Sequence, residues 1–385
     1  MGMFSGLFGP SQGLGDPNHW LVKAVGAKSA SGVFVNEYVA MNLPGVYSCV
    51  RIISDIVAQL PAHVYQRTDE GRQPRPDHPV EALVARQPNE DTNAFSFRQT
   101  IQSNALLWGN GYIEIETNNA GRRESLFQLR PENTHPKESP EDHRRIIYRT
   151  TDNGEPRDIH SDQILHIKCL GHDPNLGLSP ISLHRETLGL AIAAEKFGSK
   201  LFANDLRSGG FLQHPGQLSP EAAKNLKGSK QSEGGTDNAF KIKLLEEGMK
   251  FIPTTIPPDD GQFLGTREFQ IAEFSRIYGV PLMLLSTDAA PGWASSVEQL
   301  MIAFLTQTIQ PWIVQWEQEM NRKLFTKEER EKGYFVRFAM QALMRGDMTT
   351  RANFYQTLSE VADLGPDEIR KLEDMDPLPR TEAPE

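Results

Sequence analysis

The feature that most constrains the fold is a run of about thirty residues, roughly Ser296 to Phe325, whose large side chains recur at helical spacing. These residues are Val297, Leu300, Met301, Phe304, Leu305, Thr308, Trp312, Trp316 and Met320. At 1.5 Å per residue, such a helix would be about 45 Å long. A kink is expected near Pro311, because proline has no N–H and its ring clashes with the preceding helical turn.

Two further predicted helices are long and carry more apolar surface than one packing face needs. The first begins at Ser179-Pro180, a capping residue followed by the favoured first-turn proline, and runs to about Asn204. Its apolar residues are Leu190, Ala194, Phe197 and Leu201. The second follows Asp259-Asp260 and ends at Gly279 and Pro281. Apolar surface in excess of one face suits contacts between subunits of a ring.

Helices and strands are mixed in the first half of the chain, which predicts the α+β class. A helical face is formed by Val46, Cys49, Val50, Ile53, Val57 and Leu60, and Pro61 ends the helix. A second helix is expected from Phe95 to Trp108. Strands are predicted at AHVYQR, GNGYIEIE, ESLFQLRP, IIYRTT and QILHIKCL, with a later one at YFVRFAM.

The formal net charge of −10 argues against a protein that binds nucleic acid tightly through a basic surface. No apolar run approaches the length of a membrane span, so no membrane partner is predicted. The two cysteines, Cys49 and Cys169, suit a reducing compartment and provide no disulfide framework. The chain is therefore expected in the cytoplasm when it is made.

No catalytic motif is present: there is no phosphate loop, no HExxH, no paired CxxC, no GxSxG and no dinucleotide fingerprint. The strongest metal-like cluster holds His160, Asp162, His166, Cys169, His172 and Asp173. If QILHIKCL is a strand, however, His166 and Cys169 point to opposite faces and do not converge on one ion. We therefore predict no catalytic residues, no cofactor and no metal.

Two candidate contact sites remain open. Lys224 and Lys227, with Lys230 beyond Gly228, form a basic cluster that is either a solvated helix end or a contact with DNA or a motor. The loop STDAAPGWAS contains Trp293, which either folds back onto its own domain or faces a channel.

The order of the segments resembles the portal proteins of long-tailed, lambda-like double-stranded DNA bacteriophages, including related gene transfer agent portals. The matching stretches include VRIISDIVAQLPAHVY, LLWGNGYIEIE, GLSPISLHRETLGLAIAAEKFGSKLFAND, QFLGTREFQIAEFSRIYGVP and QPWIVQWEQEMNRKLF. Together the stretches span most of residues 40–360. The resemblance implies a portal fold with a mixed α/β wing, an α-helical stem, a small α/β clip, a long kinked tunnel helix and a short helical crown.

The resemblance also implies a domain for each segment. They are an N-terminal arm (1–40), the first part of the wing (41–175), a stem helix (176–208), the clip (209–258), the second stem helix (259–281), the tunnel loop (282–296), the tunnel helix (297–326), the return strand of the wing (327–345), and the crown with an acidic tail (346–385). Within these, it implies DNA contacts from tunnel-loop residues and docking through the clip. The implied tunnel-loop residues are Thr287, Asp288, Trp293, Ser295 and Ser296, and the implied docking residues are Lys224, Lys227 and Lys230.

A portal would form a homo-oligomeric ring, expected to have twelve subunits, at one vertex of a virion or virus-like particle. Its implied partners are double-stranded DNA, the terminase large subunit, the major capsid protein and a head–tail connector. An acidic or mixed channel wall would keep contacts with DNA short-lived. Two alternatives are a connector ring without motor contact and an enzyme of nucleic-acid metabolism. This sequence departs from its relatives in a compact clip without the expected aromatic residue, and in Ala294-Ser295-Ser296 before Val297, where relatives often carry an asparagine.

Overall fold

The structure is a computed structural model that describes residues 27–69, 71–143, 145–152, 154–203, 210–213, 250–253, 260–285 and 294–340, with short pieces at 355–357, 359–360, 365–366 and 369–370. Its helices are α1 (Glu37–Ala40), α2 (Pro44–Gln59), α3 (Pro79–Ala85), α4 (Ala94–Trp108), α5 (Pro180–Leu183), α6 (Arg185–Ala203), α7 (Asp260–Tyr278), α8 (Ala294–Phe304), α9 (Gln310–Lys323) and α10 (Lys327–Glu331). Its strands are β1 (Ala27–Lys28), β2 (Phe34–Val35), β3 (Ala62–Thr68), β4 (Gly71–Pro74), β5 (Asn110–Thr117), β6 (Arg123–Leu129), β7 (His135–Glu138), β8 (Ile146–Asp152), β9 (Glu155–His160), β10 (Ile164–Lys168), β11 (Gly210–Gln213), β12 (Lys250–Pro253) and β13 (Tyr334–Phe338). The α+β prediction is confirmed.

The main core lies between α2, α4 and two small sheets. The helical face predicted for α2 is buried along its whole length, and Ile53 and Val57 are fully inaccessible to solvent. α2 begins at Pro44, which occupies the first turn, where a backbone N–H has no helical acceptor. α4 begins after Asn93, whose side chain accepts a hydrogen bond from the Ser96 backbone N–H. The predicted core face of α2 is thus confirmed.

The described residues include three antiparallel sheets of three strands, two of which pack on this core, while the third packs on a separate small cluster of Tyr112, Tyr148, Ile159 and Ile164. Their strand orders are β10-β5-β6, β13-β3-β4 and β7-β8-β9. β13 pairs with β3 from Tyr334 opposite Gln66 to Phe338 opposite Ala62, so the chain returns to its first half after the long helix. In the β10-β5-β6 sheet, β10 has a strand partner on one side only.

Residues 27–40, the end of the segment predicted as an N-terminal arm or partly ordered lead-in, are folded and pack on the core. β1 and β2 make a short hairpin, and α1 buries Ala40 completely. The backbone N–H of Ala30 donates to Glu186 at the start of α6. A side chain at Gly189 would come within 2.5 Å of Ser29, so the hairpin packs closely on this helix. The prediction missed this element because its strands have only two residues each.

The helix predicted from Ser179 to about Asn204 differs from its prediction in two respects. It is divided at His184 into α5 and α6, and its buried apolar side chains among the described residues are Ile181, Leu188, Ala191 and Ile192. Leu190 and Phe197, expected on a continuous apolar face, are instead 56% and 46% exposed. Apolar spacing predicted the helix correctly but not which of its faces packs within the chain.

Of the predicted clip, the structure describes β11 and β12, which pair antiparallel from Gly210 opposite Pro253 to Gln213 opposite Lys250. The small helix expected after Ser219 and most of the expected crown lie outside the described residues. In the part of the chain that is described, no helix combines the length and the apolarity that crossing a bilayer requires.

Candidate functional site: the long helix and its anchorage

The long helix runs for thirty residues, from Ala294 to Lys323, and is interrupted once. α8 and α9 are separated by a five-residue π-helical turn, Leu305–Ile309, and the backbone remains helical through both junctions. The backbone N–H of Gln310 donates to the Leu305 carbonyl, five residues back. The interruption therefore lies immediately before Pro311, where the sequence predicted a kink.

The wide turn accommodates the proline. In a regular α-helix the ring of Pro311 would collide with the carbonyl four residues earlier, at Gln307, and would leave that carbonyl without its donor. A π turn carries one additional residue and widens the backbone at this point. The hydroxyls of two threonines bond nearby backbone carbonyls: Thr306 donates to Ile302, and Thr308 donates to Gly279.

The Thr308 contact ties the π turn to the end of α7. Gly279 follows the last residue of α7 and has a φ of +68°, a conformation that favours glycine. Its carbonyl accepts from the Thr308 hydroxyl at 2.8 Å. A Cβ on Gly279 would lie 2.9 Å from the Thr308 hydroxyl oxygen, so this close contact also requires the absence of a side chain at Gly279. The end of α7 and the interruption of the long helix are thus held together.

Beyond the π turn, α9 is bonded along the free edge of β10. The side-chain amide of Gln315 accepts from the Lys168 backbone N–H at 2.9 Å and donates to the Lys168 carbonyl at 3.1 Å. Glu319 accepts from the His166 backbone N–H at 3.4 Å, and Lys323 donates to the Ile164 carbonyl. Polar side chains of the helix thus take the place of a neighbouring strand. We call this set of bonds the edge ladder.

The spacing of the edge ladder follows from the geometry of the two elements. Four helical residues rise about 6.0 Å, and two strand residues rise about 6.6–6.8 Å. Side chains four apart on the helix therefore stay nearly in step with backbone groups two apart on the strand. Three contacts can form before the mismatch accumulates, and they hold the second half of the long helix in one register.

The edge ladder contains a buried ion pair. The ammonium of Lys323 lies 2.8 Å from the Glu319 carboxylate, and only 5% of the Lys323 side chain is exposed. Burial lowers the pKa of Lys323, and the adjacent Glu319 charge acts in the opposite direction. Removal of one partner would leave the other charge poorly solvated, which is the costly way to break such a pair.

Trp316, on a neighbouring side of α9, fixes the helix to the core. It is completely buried, and its indole N–H donates to the Gln102 side chain at 3.0 Å. Gln102 lies on α4, so this bond joins the long helix to the helical layer while Gln315 and Glu319 join it to the sheet. α9 is thereby held from two sides.

His166 belongs to the packed core. Asn110 accepts from the Gly177 backbone N–H through its side-chain oxygen, and the same oxygen lies 2.9 Å from His166 Nε2. Nε2 therefore carries the proton, and Nδ1 accepts from the Tyr148 hydroxyl at 3.2 Å. Burial lowers the pKa of His166 to about 3, and the charges of Lys168 and Lys323 act in the same direction.

Cys169, which directly follows β10, is bonded elsewhere: its thiol donates to the Ala105 carbonyl at 3.1 Å. Within the described ranges, no three histidine, cysteine, aspartate or glutamate side chains are grouped so that they could hold a metal ion.

The structure places only part of the predicted DNA-contact loop. Thr287, Asp288 and Trp293 lie outside the described residues. α8 begins at Ala294, so Ser295 and Ser296 belong to its first turn rather than to the loop. The predicted docking residues Lys224, Lys227 and Lys230 also lie outside the described residues. Their roles remain predictions.

Sequence reasoning missed the three residues of the edge ladder. Gln315, Glu319 and Lys323 are polar residues spaced four apart on a helix otherwise identified by its apolar stripe. That spacing was visible, but an exposed face with an i,i+4 ion pair has the same pattern. Only the position of the β10 edge distinguishes the two.

Comparison with known proteins identifies the family. Residues 44–374 match the family model described as "Phage portal protein". The chain is 32% identical to a probable portal protein of Streptomyces phage phiC31, over 98% of this chain and 86% of the phage protein. It is 28% identical to the portal protein of Enterobacteria phage HK97, over 90% of this chain and 81% of that protein.

Solved structures show the same fold. A chain in the virion of a native gene transfer agent particle matches with a TM-score of 0.58 and 22% identity, over 89% of this chain and 94% of that one. An HK97-family phage portal protein from Corynebacterium diphtheriae also matches with a TM-score of 0.58, at 14% identity, over 80% of this chain and 96% of that one. The long interrupted helix, the return strand and the match over most of the chain lead to one conclusion: the chain belongs to the phage portal protein family.

Proposed function

We propose that this chain is a subunit of the portal ring at one vertex of a phage capsid or related particle, where the ring forms the channel for DNA packaging, retention and ejection. The observation that carries the proposal is the family match over residues 44–374. A C12-symmetric neck of a gene transfer agent particle contains a chain of similar fold, with a TM-score of 0.53. A ring of twelve copies is the corresponding assembly here.

The long helix is suited to line the channel. A channel wall must keep its position while a highly charged polymer passes, and the edge ladder and Trp316 hold α9 against the sheet and α4. In this proposal, residues 286–296 face the DNA at the N-terminal end of the long helix. Asp288 and the net charge of −10 would limit adhesion to the phosphates.

The exposed apolar side chains of the stem helices support contacts between copies. Leu190 and Phe197 lie seven residues apart on α6, hence on the same side of the helix. Phe269 on α7 is 59% exposed. Large apolar groups left in water by the single chain suit a heterologous contact in which each copy covers part of the next.

The remaining partners follow from the same assignment. The clip, residues 209–258 with Lys224, Lys227 and Lys230, would dock the terminase large subunit during packaging and a head–tail connector afterwards. The wing would face the major capsid protein. The protein would act as a structural component rather than as an enzyme, first in the host cytoplasm and then at the portal vertex.

Negative-stain imaging and native mass spectrometry of the purified protein test the ring. We expect closed rings with a central hole and a mass of about twelve chains. A protein that stays monomeric under all assembly conditions would contradict the proposal. So would a nuclease or ATPase activity that persists in every variant with a substituted channel residue.

A pull-down with the terminase large subunit separates the portal from the connector alternative. A portal ring should retain the motor, and Lys224→Glu with Lys227→Glu should weaken this retention.

Neutralising Asp288 should change DNA retention in assembled particles. Unchanged packaging and retention would exclude a role for that charge.

A further inference from the structure

The outward face of the β13-β3-β4 sheet carries arginines stacked over aromatic rings. Tyr65 lies opposite Phe335, and Arg67 lies opposite Arg72, in the antiparallel register. The two rings stack with their centroids 5.9 Å apart. The Arg67 guanidinium lies 5.9 Å from the Phe335 centroid, and that of Arg72 lies 5.5 Å from the Tyr65 centroid. Like charges directly opposite each other on neighbouring strands destabilise a sheet, so folding alone does not favour this arrangement.

The arginines of this face lack an acidic partner. Among the described residues, no carboxylate lies within ion-pair distance of Arg67, Arg72 or Arg337, whereas exposed Arg149 is paired with Asp158. The charge of Arg337 acts to lower the pKa of Glu317, but the Glu317 carboxylate accepts a hydrogen bond from the Phe338 backbone N–H. Three guanidinium groups therefore keep their outward N–H donors available.

These groups form one concave surface, which we call the arginine face: Tyr65, Arg67, Arg72, Phe335 and Arg337. All of them except Tyr65 border an open concavity of about 480 Å³, completed by Thr68, Asp69 and Gly71 of the β3–β4 turn. Aromatic side chains and arginines are also the residues most enriched at protein–protein contacts.

The chemistry of the arginine face specifies its partner. A guanidinium stacked on a ring still presents its N–H edge to solvent, where it can hold a carboxylate through two parallel hydrogen bonds. Exposed aromatic rings are the usual surface for extended proline-containing segments, which lose little conformational entropy on binding. The fitting partner is an extended peptide with several carboxylates and prolines.

The chain itself contains such a segment at residues 371–385, KLEDMDPLPRTEAPE. Its carboxylates are Glu373, Asp374, Asp376, Glu382 and Glu385, and its prolines are Pro377, Pro379 and Pro384. The segment lies outside the described residues, and most of it lies beyond the range matched by the portal family model. More than thirty residues separate it from β13, so chain length does not prevent it from reaching the face.

We propose that residues 371–385, from the same or a neighbouring copy of the chain, dock on the arginine face. The carboxylates pair with the three guanidinium groups, and the prolines pack against the half-buried rings of Tyr65 and Phe335 beside the stacked guanidinium groups. Docking places this segment against the wing sheet and satisfies arginines that otherwise face water. The idea does not depend on the portal ring, because it concerns one sheet face and one segment of the same chain.

Photo-crosslinking of the full-length protein tests the contact. With a benzophenone amino acid in place of Leu378, crosslinks should map to residues 63–74 and 334–338. Arg72→Glu should reduce their yield about fivefold or more, because it replaces an attractive pair with a repulsive one. The matched control is Arg122→Glu, which reverses an exposed charge on the β5–β6 turn and should leave the yield within about twofold.

A charge swap makes the test specific. Glu373→Lys, Asp374→Lys and Asp376→Lys together should restore crosslinking when Arg67→Glu, Arg72→Glu and Arg337→Glu are combined on the face, and excess synthetic peptide 371–385 should compete in the unmodified protein. Circular dichroism checks that each variant is folded. Crosslinks elsewhere, equal losses in both arginine variants, or competition by a DNA duplex but not by the peptide would overturn the proposal.

Discussion

Replacement of Gln315 by leucine tests the edge ladder most sharply. The substitution keeps the size and helical preference of the side chain but removes both hydrogen bonds to the Lys168 backbone. A net loss of about 1 kcal/mol per bond, with part of the desolvation cost of the orphaned groups, amounts to about 2–3 kcal/mol. That is a factor of at least about 30 in the equilibrium for opening this edge.

Amide hydrogen exchange of the peptide that contains Lys168 measures this opening directly. In the leucine variant, the Lys168 N–H should exchange faster by about that factor, because its acceptor is lost. Gln318→Leu is the matched control, since Gln318 is exposed on the same helix and should change stability by less than about 0.5 kcal/mol. Equal exchange at Lys168 in the two variants would refute the claim that Gln315 replaces a strand partner.

Three further predictions concern the same region and the stem. When the pH falls from 6.5 to 4.5, the free energy of unfolding of the wild type should decrease by up to about 2.7 kcal/mol more than that of His166→Gln. The reason is that the imidazole of the unfolded chain binds a proton below pH 6.5, whereas that of the folded chain stays neutral until about pH 3. An equal pH dependence of the free energy of unfolding in urea for the two proteins would contradict this. Deletion of Gln307 combined with Pro311→Ala should convert the π turn to a regular helix and leave a folded protein, because the proline that would clash in a regular helix is removed. Deletion of Gln318 should rotate the edge ladder out of register and cost about 3 kcal/mol or more. Circular dichroism melts that reverse this order would exclude the register argument. Leu190→Glu should prevent ring assembly, measured by size-exclusion chromatography, whereas the control Lys196→Glu on the same helix should still assemble. Ring formation by both variants would show that α6 is not part of the contact between subunits.

Helix faces were predictable where one periodic face packs within the same chain. The spacing of Val46, Ile53 and Val57 identified the buried side of α2, because each of these residues contributes only to the core. The same reasoning misassigned α6, where Leu190 and Phe197 are exposed in the single chain. Periodicity reports which side chains avoid water in the assembled state, and it does not distinguish an internal contact from one between subunits.

Strands with few buried residues were not predicted from the sequence. β9 buries Ile159 alone among its six residues, and β7 consists of His135, Pro136, Lys137 and Glu138. Neither shows the alternation that marks a half-buried strand, since backbone pairing with β8 rather than side-chain burial holds them in place. The edge ladder was unpredictable for a related reason, because its partners are backbone groups that any sequence would present.

The kink was predictable in position but not in form. Pro311 indicated where the long helix must deviate, and the deviation lies within six residues of it. A proline alone is compatible with a sharp bend, a break or a wide turn. The contact of Thr308 with the Gly279 carbonyl, formed between elements 29 residues apart, accompanies the wide turn in this fold.

In the proposed ring, the long helix lines the channel, and α9 holds it in place. A cryo-electron microscopy map of the purified assembly tests it most directly. We expect a closed ring in which residues 286–304 lie at the inner wall, while Gln315, Glu319 and Lys323 stay against the β10 edge. An assembly without a central channel, or one in which these three side chains face the lumen, would contradict it.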